Sequence, residues 1–263
     1  MFVTADDLFF LSFCFLLLSI YDTIFSLDCG GIMLFDCGYE IENRSYKRNK
    51  SLAIMQAKRM LPEYVFDTAQ LENNPLTFPE VKTLIDGITV GGHKVRDVEQ
   101  VLNIQNAWSL LFEFLQKNEF IPNKEIFVSI NSAIAREEAL SVGSFRTGQV
   151  SIAGTTSYTA PNFEDLDSIF ENEIEKILEI GDPIKKAISI FLWGCLNQFF
   201  WDGNKRTSRI ISNGILLNEG IGIFNIKTKD ITQFNALMID FYDSKIADNI
   251  FKFLYENCIM EVS

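Results

Sequence analysis

Apolar positions recur at helical spacing along most of this chain. Leu52, Met55, Ala57 and Met60 share one face between Ser51 and Leu61, and Pro62 predicts the end of that helix. A second short helix is expected from Val65 to Leu71, and Asn73-Asn74-Pro75 is a break. Thr77, with Glu80 three positions on, forms a capping box for a helix through Val81, Leu84 and Ile85. Asp97 to Gln116 reads as a long amphipathic helix, and Lys124 to Leu140 as another with Ile126, Phe127, Ile130 and Ile134 inward. A wholly apolar run from Ile188 to Leu196 and an amphipathic one from Thr207 to Leu217 predict a central pair. Phe234 to Tyr242 and Ser244 to Tyr255 predict two more helices.

One stretch departs from this period. Between Val142 and Pro161, Val150-Ser151-Ile152 alternates, Gly154-Thr155-Thr156 turns and Ser157-Tyr158-Thr159 returns, which predicts a short β-hairpin. The fold class expected is therefore mainly all-α, a helical bundle with one short hairpin. Three regions are expected: an apolar extension over residues 1–32, an N-terminal helical region over 33–96, and a helical domain over 97–263.

Residues Leu8 to Tyr21 carry no charge, Asp22 interrupts the run, and Arg44 is the first basic residue of the chain. The uncharged run is short for a membrane span, which needs about 20 apolar residues. Asp6 and Asp7 stand where a signal peptide would carry positive charge. Three readings stay open for this region: a buried or partner-docking helix, a weak membrane anchor through residues 8–27, or an extension outside the working fold with Met33 as the start.

A net charge of −12 speaks against nucleic acid as a partner, which would need a cationic face. Five cysteines without a C-x-x-C pair fit free thiols in a reducing cytoplasm, with membrane association as the alternative location. A single histidine, His93, excludes histidine-rich metal sites and Ser/His/Asp triads, and its Gly-Gly-His-Lys context makes it a loop residue. The acidic run from Glu164 to Glu175 reads as a solvated helix face.

Candidate chemistry concentrates between the two central helices, in Asn197-Gln198-Phe199-Phe200-Trp201-Asp202-Gly203-Asn204-Lys205-Arg206-Thr207-Ser208-Arg209. Gly203 and Asn204 precede a helix start, where exposed N–H groups and the helix dipole attract anions. Arg206 and Arg209 lie three apart, on one helical face. Asp202 can hold Mg²⁺ beside a phosphate. Phe200 is an apolar pin for the loop. A plain interhelical turn, its arginines paired with surface acids, is the competing reading of these residues.

The stretch resembles the signature of the Fic (Fido) family, H-x-F-x-[DE]-G-N-[GK]-R-x-x-R, with Phe200, Asp202, Gly203, Asn204, Lys205, Arg206 and Arg209 in register. Gly143-Ser144-Phe145-Arg146, Val150, Ile152, Gly154, Tyr158 and Pro161 resemble the family's target-docking flap. Thr68-Ala69-Gln70-Leu71-Glu72-Asn73 resembles its inhibitory motif, [ST]-x-x-x-E-[GN]. The resemblance covers about residues 50–260. It implies a helical Fic fold and transfer of AMP from ATP to a Ser, Thr or Tyr hydroxyl of a target protein, and the family often forms homodimers. It further implies Asp202 on Mg²⁺ and Gly203, Asn204 and Lys205 in an anion hole. Arg206 would hold the β-phosphate and Arg209 the γ-phosphate, with Glu72 pairing with Arg209 to block it.

One position departs from the motif. Gln198 stands where the family places the histidine that takes the proton from the target hydroxyl. An amide is no base near neutral pH, and losing a positioned base costs about 10²- to 10⁴-fold in rate. Three functions stay open: an autoinhibited AMP-transferase weakened at Gln198, a nucleotide-binding module without catalysis, and phosphoryl transfer in the manner of the relative Doc.

Overall fold

A computed structural model describes residues 35–41 and 45–262 of the chain. The apolar segment over residues 8–27 lies outside the described residues. Among the described residues, no helix is long and apolar enough to cross a membrane.

Ten α-helices and two short strands make up the fold among the described residues. They are α1 (Lys50–Arg59), α2 (Leu61–Leu71), α3 (Phe78–Ile85), α4 (Val95–Lys117), α5 (Lys124–Ile134), α6 (Leu166–Leu178), α7 (Pro183–Asn197), α8 (Asn204–Asn218), β1 (Gly222–Phe224), α9 (Ile231–Ser244), α10 (Asp248–Cys258) and β2 (Ile259–Glu261). The mainly helical class is as the apolar spacing predicts.

α7 and α8 form the centre. Only Lys185 and Lys186 of α7 escape full burial, and in α8 every residue from Arg206 to Leu217 is buried. Their crossing depends on Gly194: a Cβ there would stand 2.2 Å from Ser208 Oγ. α5 and α4 pack against α8, and α2 packs against α4. An aromatic cluster fastens the α7–α8 connection to this core. Phe145 stacks on Phe199 with ring centroids 4.9 Å apart, and Trp193 lies 4.8 Å from Phe199, distances at which such pairs add to plain burial.

Several boundaries differ from the periodic reading. Pro62 does not end the first helix; it sits in the first turn of α2, where its missing N–H would have had no partner. Glu80 accepts from both the N–H and the hydroxyl of Thr77 at the start of α3, and also meets His93 Nε2 at 2.9 Å. These contacts, His93 foremost, hold the Glu80 carboxyl down at about 2. α5 stops at Ile134, well short of Leu140.

The strand pairing also lies elsewhere than expected. Residues 150–159 form turns without a ladder. The antiparallel pair is β1 with β2, Gly222 opposite Glu261 and Phe224 opposite Ile259. Three consecutive N–H groups of the 150–159 segment, those of Thr156, Ser157 and Tyr158, go instead to the Asp243 carboxylate at the end of α9. Donors committed to a carboxylate are lost to a ladder.

Candidate active site

The loop between α7 and α8 is built from two left-handed residues. Gln198 (φ 48°, ψ 56°) stops α7, and Gly203 (φ 75°) opens α8. Gly203 has a second reason to be glycine, because a Cβ would come within 2.9 Å of Ile134 Cγ2.

Asn204 closes the loop on itself. Its Oδ1 accepts from the Phe200 N–H at 2.9 Å, and its Nδ2 donates to the Phe200 carbonyl at 2.8 Å and to Gln198 Oε1 at 3.1 Å. Asn131 of α5 donates to the Asp202 carbonyl and to the Thr207 hydroxyl. Phe199 and Phe200 are buried beneath, as the apolar pin requires. The backbone that precedes α8 is thereby fixed from three sides.

A cavity of 290 Å³ opens on this loop. Its lining includes Glu72, Gln198, Asp202, Lys205 and Arg206, with Ser151 and Ile152 from the 142–161 segment and Tyr242 from α9. The structure thus gathers residues from α2, the motif loop and the expected flap around one space. Val150, Gly154 and Tyr158 belong to the same segment without lining the cavity. Tyr158 instead donates its hydroxyl to the Leu196 carbonyl and packs on Tyr242.

Arg206 is the electrostatic centre, only 2% exposed. Its Nη1 meets Glu138 Oε1 at 2.8 Å, its Nη2 meets Asp202 Oδ1 at 3.1 Å, and its Nε stands 3.8 Å from Glu72 Oε1. Burial alone would lower its pKa, but Glu72, Glu138 and Asp202 together outweigh burial and raise it. Nε has no hydrogen-bond partner.

Arg209, one turn on, is 3% exposed and outside the cavity lining. The expected Glu72–Arg209 pair is corrected here. Glu72 makes its ion pair with Arg206, while Arg209 Nη1 donates to the Thr68 hydroxyl at 3.3 Å. The reason is depth: Arg209 sits a turn further into the core, level with Thr68 on α2, whereas Glu72 caps that helix nearer the cavity. Burial lowers the pKa of Arg209, and the charge of Glu72 acts against that. Arg209 Nε and Nη2 have no hydrogen-bond partner. Asn73, beside Glu72, is left-handed (φ 57°) and turns the chain away after α2.

Gln198 carries no basic function in this arrangement. Its Nε2 donates to the Cys195 carbonyl at 2.7 Å while its Oε1 accepts from Asn204, so both ends of the amide are engaged. Asp202 is half exposed at the cavity. Among the described residues, no cluster of three or more His, Cys, Asp or Glu side chains is arranged to hold a metal.

Three residues that the sequence reading did not single out matter here, Glu138, Asn131 and Asp243, together with Arg146, named there only as part of the flap. Glu138 and Asn131 reach the loop from the end of α5. Arg146 is buried and donates to the carbonyls of Gln198 (2.6 Å), Gly148 (2.7 Å) and Pro161 (2.6 Å). Asp243 holds the turn at Thr156–Tyr158. The signals available were faint: Asn103 is a polar residue among the buried apolar positions of the amphipathic α4, and Asn131 interrupts the apolar face of α5.

No protein-family model matches the chain. It is 25% identical over 178 residues to protein adenylyltransferase Fic of Aedes aegypti, covering 65% of this chain and 35% of that protein. It is 28% identical over 172 residues to protein adenylyltransferase fic-1 of Caenorhabditis elegans, covering 62% of this chain and 34% of that protein. A crystal structure of a Fic domain containing signaling protein from Bacteroides thetaiotaomicron superposes with a TM-score of 0.62 at 19% identity, covering 73% of this chain and 75% of that one. The chain is a Fic-family protein. It spans about a third of the length of these two curated relatives.

Proposed function

We propose that this Fic-family protein binds ATP at the α7–α8 loop, and that it belongs to the class transferring AMP to a hydroxyl side chain of a protein target. The relatives in mosquito and nematode bear the name protein adenylyltransferase, which supports the class. In that reaction the target oxygen attacks the α-phosphorus, the bond to the β-phosphate breaks, and pyrophosphate leaves. The hydroxyl proton must go to a base.

The N–H groups at the start of α8, with Lys205 and Arg206, would receive the phosphates. Asp202 offers one half-exposed carboxylate at the cavity. That suits Mg²⁺, which binds through one or two carboxylates together with phosphate oxygens. When bound, the ion would offset charge on the phosphates and on the leaving pyrophosphate. The Ser151–Ile152 edge of the 142–161 segment borders the same cavity, where a target would dock.

The observation that carries the reading is the placement of Glu72. Its carboxylate stands over Nε of Arg206, the one nitrogen of that guanidinium without a hydrogen-bond partner. A phosphate would seek that position, so Glu72 holds the site in an inhibited state. Gln198 favours a second reading, nucleotide binding without catalysis, because its engaged amide cannot accept the proton.

ATP binding to the wild type and to Glu72→Gly tests the first part; tighter binding by the variant is expected. ATP labelled at the α-phosphate tests the second. Wild type should transfer little label, and Gln198→His combined with Glu72→Gly should transfer at least a hundredfold more. A double variant that binds ATP yet labels neither itself nor any protein would sink the transferase reading and leave the binding module.

A further inference from the structure

We propose that Glu138 is a second inhibitory arm on Arg206, tied by a hydrogen-bond chain to the segment that carries Glu72. The proposal rests on the reading of the α7–α8 loop as a nucleotide site and names a regulator of it.

Glu138 owes its place to deliberate local structure. α5 stops at Ile134, and the chain turns over Ala135–Ala139, with the Glu138 and Ala139 N–H groups both donating to the Ala135 carbonyl. Glu137 lies in the left-handed region (φ 62°), uncommon for a residue with a side chain and sustained only where surroundings enforce it. The enforcing groups come from α4. Asn103 donates to the Arg136 carbonyl at 2.7 Å, and Gln100 Nε2 donates to Glu138 Oε2 at 3.0 Å. One carboxylate oxygen is thereby anchored, and the other points to Arg206 Nη1 at 2.8 Å.

Gln100 is held in turn. Its Oε1 accepts from Asn74 Nδ2 at 3.0 Å, and Asn74 is two residues beyond Glu72. The connection therefore closes on itself. It runs from Glu72 along the backbone to Asn74, through Gln100 and Glu138 to Arg206, and back across 3.8 Å to Glu72. A partner that draws the end of α2 outward also loosens Gln100, and with it Glu138.

Charge gives this loop its consequence. Glu72, Glu138 and Asp202 set three negative charges around one guanidinium that must attract a polyphosphate, and Lys205 in the cavity and Arg209 near Glu72 offset part of them. Asp202 is half exposed, but Glu72 and Glu138 are mostly buried, and their charges are poorly screened. Removing Glu72 alone leaves Nη1 engaged by the closest of the three contacts. Full release of Arg206 requires both arms to leave.

Titration calorimetry with ATP, and with inorganic tripolyphosphate as a probe lacking the nucleoside, tests this on wild type, Glu72→Gly, Glu138→Gln and the double variant. Glu138→Gln should tighten both ligands by about tenfold in either background, one unit of charge being removed beside the phosphates. The double variant should bind more tightly than either single one. Gln100→Leu leaves Glu138 and Arg206 intact but frees the arm, and should tighten binding by a smaller factor. That variant keeps the test open if Glu138→Gln melts early. Unchanged or weaker binding by Glu138→Gln and Gln100→Leu, alongside tighter binding by Glu72→Gly, would overturn the second arm while sparing the nucleotide site. Failure of every variant to bind either ligand would remove the nucleotide site, and this arm with it.

Discussion

The end of α2 and the segment over residues 142–161 both border the α7–α8 loop, but they are fastened by opposite chemistry. α2 is held through its own side chains, which meet two arginines, an amide, a hydroxyl and one N–H. Thr68 accepts from Arg209, Glu72 faces Arg206, and Asp67 accepts from Asn225 and from the N–H and hydroxyl of Thr228. The 142–161 segment is held through backbone groups. Arg146 donates to three carbonyls, Tyr158 donates to the Leu196 carbonyl, and Asp243 accepts from three successive N–H groups. An anion in the cavity meets Arg206 and competes with Glu72 for it, whereas Arg146, Asp243 and the Thr156–Tyr158 N–H groups do not line that cavity. α2 is therefore the element a polyphosphate would displace, and the 142–161 segment the element that stays to form an edge.

The largest effect should come from breaking the second kind of tie. Arg146→Ala leaves three carbonyls without their donor beside the motif loop, and removes a buried side chain from beneath it. Each buried acceptor left without its donor costs about 1–3 kcal/mol, so the three together put the loss at several kcal/mol, on the order of 3–5. A chain of this size should then melt roughly 10 °C lower. A drop below about 1 kcal/mol in a denaturant titration would mean that the segment is held by its apolar contacts, and the comparison would fail.

The same contrast explains what could be read from sequence. The helices were legible because burial on one face repeats at 3.6 residues, and the motif loop because its residues are contiguous. The early stop of α5 was not legible. Its apolar period runs on past Ile134, and the chain turns because Asn103 and Gln100, over 30 residues earlier, take the Arg136 carbonyl and the Glu138 carboxylate. The strand alternation in Val150–Thr159 was real as a pattern, but Asp243 takes the N–H groups that a hairpin would have used. Glu138 lies 68 positions from Arg206, and no local pattern connects them. Residues of the loop that act on their own neighbours were visible; of those that arrive from another helix, Glu72 was visible through its own contiguous motif and Glu138 and Asn131 were not.

A smaller effect should follow from loosening α2 at a point remote from the cations. Asp67→Ala removes the tie between α2 and the loop that follows β1, at a net cost of about 1–2 kcal/mol. The prediction is sharper in distribution than in size. Hydrogen exchange should quicken in the last turn of α2 and leave the amides of Thr156, Ser157 and Tyr158 as they were. ATP affinity should rise at the same time, because Glu72 is then less firmly placed. Exchange that quickens equally in both segments would show that they open together, against the separation drawn here.

The smallest effect is a titration. The backbone N–H groups of Ser157 and Thr156, followed by the Thr156 hydroxyl and the Tyr158 N–H, hold the Asp243 carboxyl down at about 2. An aspartate in an unfolded chain titrates near 3.9. The folded value is the lower one, so this tie stabilises fully above about pH 4 and is lost as the pH falls through about 2. Exchange at Thr156–Tyr158 should therefore quicken severalfold between pH 4 and 2, after correction for the intrinsic rate. Asp243→Asn should show the faster rate at every pH and no step, since the amide keeps an acceptor but has no charge to lose. α2 has no part in this carboxylate, so its amides should not follow the step. If they do, acid is unfolding the whole bundle, and the two fastenings are not separable by pH.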